Sequence, residues 1–83
     1  GPGSYSWLAG KKIKIHKTKV KNATDVHVEK TGQVIAISKE AVSIQCGEGV
    51  LDIIELQPES RNRMGVADFL KSHPLEIKQR FGK

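Results

Sequence analysis

Apolar and polar residues alternate over Lys12-Ile13-Lys14-Ile15-His16, a period of two that predicts a strand with Ile13 and Ile15 facing inward. The next inward candidates, Thr18 and Val20, carry even numbers. A period of two cannot change parity without an extra residue, so a β-bulge is expected near His16-Lys17. Lysines all but cover the outer face, as on an edge strand guarded against pairing or on a surface that tracks phosphates. Lys21 to Asp25 is a polar connection, and Val26-His27-Val28 alternates weakly as a short strand or an ordered loop. Gly32 opens a β-branched run from Gln33 to Ser38. Lys39-Glu40 turns into Ala41 to Cys46, with Val42, Ile44 and Cys46 on one side. After the Gly47-Glu48-Gly49 turn, Val50 to Gln57 is too apolar for a half-exposed strand. The connections are too short for helical crossovers, so the sheet is antiparallel.

Beyond the polar loop from Pro58 to Arg63, Val66, Phe69 and Leu70 fall at i, i+3 and i+4 and predict one apolar helix stripe. Gly65 is an acceptable N-cap, and Asp68 then meets the positive end of the helix. Ser72-His73-Pro74 stops it after about two turns. So short a helix must plug or cover the sheet. Leu75, Ile77 and Phe81 are available to dock from a tail of undetermined form. The expected fold is therefore mainly β: a small, five-stranded, closed or nearly closed antiparallel barrel with one short helix.

Length changes the picture by exclusion. A chain of 83 residues supports one small domain that buries roughly 60% of its unfolded surface, leaving little room for a substrate cleft. Catalysis by this chain alone is not expected. The best apolar stretch, Val50 to Leu56, is interrupted by Asp52 and Glu55, so no membrane association is expected. Cys46 is the single cysteine; with no second thiol it forms no internal disulfide, and it is expected as a small core side chain in a cytoplasmic protein. That setting also makes glycosylation of Asn22-Ala23-Thr24 unexpected. Gly1 to Ser4 reads as the remnant of a cleaved tag, which leaves residues 5–83 as the domain.

The net charge of +5 is unevenly spread. Residues 5–21 hold six lysines and no acid, residues 22–60 hold two lysines against seven acids, and residues 61–83 hold six bases against two acids. If the two basic ends converge, they form a positive face that attracts polyanions by releasing condensed counterions. The bland alternative is a solvated lysine-rich surface. His16, His27 and His73 lie on different elements without ligand spacing, so no metal site is expected. His16 could add a donor to the basic strand or simply be solvated. Tyr5 and Trp7, next to the lysine run, are expected to lid the core, with base stacking as the alternative.

Several segments in collinear order resemble the C-terminal domain of methionyl-tRNA formyltransferases. Gly49-Val50-Leu51-Asp52-Ile53-Ile54-Glu55-Leu56-Gln57-Pro58-Glu59, then Arg63-Met64 and Asp68-Phe69-Leu70, is similar to the family's apolar strand, Q-P loop and D-F-L helix. Gly10-Lys11-Lys12-Ile13-Lys14-Ile15 resembles its G-K-R-[IL]-K-[IL] strand. Gly32-Gln33-Val34-Ile35 and Cys46-Gly47-Glu48-Gly49 resemble two of its turns. Ser60 stands at the family's loop glycine, Asn62 at a basic position and Ser72 at the glycine after the helix.

The resemblance implies an OB-like barrel that helps hold initiator Met-tRNA. Formyl transfer from 10-formyltetrahydrofolate takes place on a separate N-terminal formyltransferase domain, and the C-terminal domain carries no cofactor of its own. Its RNA contacts are expected from Lys11, Lys12, Lys14, His16, Lys17 and Lys19 on one bank and Arg61, Arg63 and Lys71 on the other, as phosphate and sugar contacts of a monomer. Two rival readings are a structural domain of a formyltransferase acting on a nucleotide sugar or folate, and a protein-interaction barrel.

Overall fold

A computed structural model describes residues 4–21, 31–47 and 49–82. These contain six strands and one helix: β1 (Ser4–Leu8), β2 (Lys11–Lys21), β3 (Val34–Ile37), β4 (Val42–Cys46), β5 (Gly49–Pro58), β6 (Met64–Gly65) and α1 (Val66–Ser72). All pairings are antiparallel, in the order β1-β2-β5-β4-β3, with β6 on β5. The expected antiparallel sheet and short helix are present. The expected five strands and closed barrel are not: six strands are formed, and β1 and β3 are unpaired with each other among the described residues.

The extra strands have local causes. β1 and β2 form a hairpin closed by Ala9-Gly10, where φ is 51° and 79°. Positive φ at both central positions suits the right-handed twist of a two-residue hairpin. β6 is the short approach to α1 and pairs Met64 with Leu56 and Gly65 with Glu55.

The anticipated irregularity in β2 lies where parity demanded it, with register shifts between Ile15 and Lys17 and between Lys17 and Thr18. Ile13 and Ile15 lie opposite Pro58 and Leu56; beyond the shift, Thr18 and Val20 lie opposite Ile53 and Leu51. The phase changes as expected, yet Val20 remains 77% exposed and Thr18 is exposed as well. The core ends before that part of β2, so pointing to the right side of the sheet does not bury them. The Val26-His27-Val28 segment and the residues 1–3 assigned to a tag lie outside the described residues; Ser4 belongs to β1.

Leu8, Ile13, Val34, Val42, Ile53, Leu56, Val66, Phe69 and Phe81 form one contiguous core. The helix supplies Val66 and Phe69, and Gly65 is its N-cap, as expected. Cys46 is half-buried at the end of β4 and stands outside that core, contrary to expectation.

The tail docks through Phe81, while Ile77 stays exposed. Its backbone joins β3, where the Lys78 amide donates to the Val34 carbonyl (2.7 Å) and the Val34 amide to the Gln79 carbonyl (2.8 Å). The Phe81 amide donates to Gly32 (2.9 Å), and the next amide, Gly82, donates to Trp7 on β1 (2.7 Å). A single segment thus spans the gap between the two sheet edges. Gly32 permits this approach, because a Cβ there would stand 2.5 Å from the Phe81 carbonyl oxygen and φ is 90°.

Candidate nucleic-acid interface

Strand parity sorts the basic residues of β2. Lys12 and Lys14 are the Cα partners of Trp7 and Tyr5, so all four belong to the outer face of the sheet. Lys11 lies opposite Leu8 and shares the inner face with Ile13 at the open end of the core.

Tyr5 and Trp7 are 56% and 47% exposed, so neither lids the core. The Lys12 ammonium stands 4.3 Å from the centroid of the Tyr5 ring and that of Lys14 5.7 Å. Such contacts attract the cation to the ring quadrupole. They explain the exposed aromatic better than burial does. The alternation in Tyr5-Ser6-Trp7-Leu8, followed by the two-residue turn, was the available sign of a strand with both aromatics on one side.

Gln57 organises the neighbouring surface. Its side-chain Oε1 lies 2.8 Å from His16 Nε2, and its side-chain Nε2 donates to the Arg61 backbone carbonyl at 2.9 Å. Tyr5, Lys12, Lys14 and Gln57 line an outer cleft of about 340 Å³ with Pro58, Glu59 and Ser60. On the other side of the same loop, Lys11, Ile13, Arg61 and His73 line a second cleft of about 330 Å³ with Pro58, Glu59 and Ser60. The loop between them is a turn in which the Arg61 amide donates to the Pro58 carbonyl (3.1 Å). Ser60, at its third position, has φ 65°, the conformation that a type II turn requires and glycine adopts without strain.

The nine expected contact residues are thus not one bank facing another. Lys12, Lys14 and His16 gather on the outer face, and Lys11 and Arg61 share the cleft beneath the turn. Lys17 and Lys19 lie opposite Glu55 and Asp52 on β5. Arg63 Nε donates to Glu55 Oε1 at 2.6 Å, and Lys71 lies 3.6 Å from Asp68 on the exposed helix face. Among the described residues, Lys11, Lys12, Lys14 and Arg61 have no carboxylate within ion-pair distance, although Glu59 lines both clefts.

His73, which sequence reasoning left unused, closes α1 and donates its amide to the Phe69 carbonyl. Its ring stacks on Phe69 at 4.7 Å and 8°. Its Nδ1 is 2.8 Å from Ser72 Oγ. Burial, and then the positive charges of Arg61 and Lys11, hold its pKa below the usual histidine value.

A sequence profile described as formyl transferase, C-terminal domain, matches residues 1–74. The chain belongs to this family. Among relatives of this formyl transferase C-terminal domain, a methionyl-tRNA formyltransferase of Bdellovibrio bacteriovorus is 43% identical over 83 residues, spanning 99% of the chain and 26% of the relative. A methionyl-tRNA formyltransferase of Geobacter metallireducens is 41% identical, over 98% of the chain and 25% of the relative. One from Myxococcus xanthus is 35% identical, over 89% of the chain and 22% of the relative. The chain therefore spans about a quarter of the length of these relatives. The tail beyond residue 74, which bridges the sheet edges, lies outside the profile match.

Proposed function

We propose that this formyl transferase C-terminal domain is the non-catalytic tRNA-binding part of a cytoplasmic methionyl-tRNA formyltransferase. In this reading it holds initiator Met-tRNA as a monomeric unit, while a separate N-terminal domain transfers the formyl group from 10-formyltetrahydrofolate. The observation that carries the reading is the set of cations, Lys11, Lys12, Lys14 and Arg61, that have no ion-pair partner among the described residues and lie around the Pro58–Arg61 turn. An ammonium or guanidinium without a carboxylate partner is available to a phosphate, whereas a neutralised one must first exchange its partner.

His16 adds a donor next to Lys14, and Lys17, Lys19, Arg63 and Lys71 extend the track where their carboxylate neighbours allow. The contacts go to phosphate and sugar, so they position RNA without reading its sequence. A purely structural domain for a nucleotide-sugar or folate enzyme would have no use for such a surface.

The test is the salt dependence of tRNA binding by filter retention. Each phosphate contact contributes a slope of roughly 0.7 to 0.9 log units of affinity per log unit of salt. Lys12→Glu with Lys14→Glu should weaken binding at low salt and flatten the slope by about 1.4 to 1.8. An unchanged slope in the double variant would take β2 out of the RNA contact.

A further inference from the structure

The second cleft holds a combination with a chemistry of its own. Lys11 comes from the start of β2, Arg61 from the turn and His73 from the end of α1, so three separate elements converge on about 330 Å³. Ile13 and Pro58 form its apolar wall, and Glu59 brings a single carboxylate against two permanent cations. The imidazole is fixed as well as near. Phe69 supports its ring face, and Ser72 Oγ occupies Nδ1, which leaves Nε2 without a hydrogen-bond partner among the described residues.

We propose that Lys11, Arg61 and His73 form a phosphate-binding pocket whose affinity is set by protonation of His73. The pocket accepts one phosphate oxyanion, supplied by a diester of the RNA backbone. This deepens the tRNA-binding reading and rests on it only for that source.

Burial, and then the two cations, disfavour a third charge while the pocket is empty, which lowers the pKa of His73. An oxyanion between them cancels that repulsion and gives the imidazolium a partner, so its pKa rises on binding. Proton uptake then accompanies phosphate binding. Affinity is lowest while His73 stays neutral, rises as the pH falls through the raised pKa of the complex, and levels off below the depressed pKa of the free protein.

NMR titration of the His73 ring against pH reads this directly, using the whole 83-residue chain with and without dimethyl phosphate, and separately with inorganic phosphate. Dimethyl phosphate should raise the His73 pKa by about one unit, equivalent to about tenfold tighter binding by the protonated form. A response to inorganic phosphate alone would keep the pocket and assign it to a phosphomonoester or free phosphate. No response to either probe overturns the proposal.

Lys11→Gln with Arg61→Gln, both at exposed positions, should return His73 toward its ordinary pKa and abolish the phosphate response; a response that survives would also overturn the pocket. The tRNA reading fails on a different result, the absence of tRNA binding by the unaltered chain at low salt, which the small-molecule titration does not depend on.

Discussion

Glu55→Gln offers a test that improves binding. The Glu55 carboxylate lies 2.6 Å from Arg63 Nε, and Lys17 is its Cα partner across the β2–β5 ladder. That acid therefore offsets one cation of the proposed track, Arg63, and faces Lys17 without an ion pair. The Arg63 and Glu55 side chains are 56% and 34% exposed. A pair with that much solvent contributes about 0 to 1 kcal/mol to stability. The amide keeps an oxygen that can accept from Arg63, so the loss belongs at the lower end, and the melting temperature should fall by less than about 8 °C.

For RNA the sign reverses. One released cation, able to neutralise a phosphate, should steepen the salt slope by about 0.7 to 0.9. Across a fourfold rise in salt, that slope removes roughly threefold of the gain, so the improvement should be greatest at low ionic strength. Filter binding of tRNA across a salt series, alongside thermal unfolding of the same variant, provides both readouts. Equal slopes and equal low-salt affinity in a folded Glu55→Gln protein would refute the argument, placing Arg63 off the RNA path. A loss of several kcal/mol would refute the premise that the pair is a weakly stabilising surface contact.

Two other perturbations address the frame that carries the cations. Phe69 is fully buried and supports the His73 ring; Phe69→Ala should cost about 3 to 5 kcal/mol, a large part of what so small a domain possesses, and denaturant titration should show the midpoint collapse. Ser60 occupies the left-handed region at the third position of the turn, so Ser60→Gly should relieve roughly 1 to 2 kcal/mol of strain against about 0.5 to 1 kcal/mol of added chain entropy. The net gain of up to about 1.5 kcal/mol should appear as a higher urea midpoint, and a lower one would show that serine is favoured there.

The features readable from the sequence are those with a local physical signature. The bulge at His16-Lys17 followed from parity, and the helix from Val66, Phe69 and Leu70, because both patterns are confined to a few consecutive residues. The hairpin at Ala9-Gly10 was missed because alanine in a left-handed turn contradicts its usual preference. Val20 was expected inside because alternation states which side a residue faces, while burial depends on whether anything lies over that side.

The candidate site divided along the same line. Residue type alone nominated Lys11, Lys12, Lys14 and Arg61. The neutralisation of Arg63 by Glu55 and of Lys71 by Asp68 depends on side-chain geometry. His73 was invisible as a site residue because its neighbours, Lys11 and Arg61, come from distant points of the chain.

The amide of Gly82 on the Trp7 carbonyl ties nearly the last described residue to the first strand. During vectorial synthesis, β1 and β2 emerge before this partner exists, and the hydrogen bonds that residues 78–82 make to both margins form only after residue 82 clears the ribosome. The nascent intermediate is therefore the species most open to strand addition by another chain. Its protection arrives in one step, when residues 78–82 seat against both margins at once.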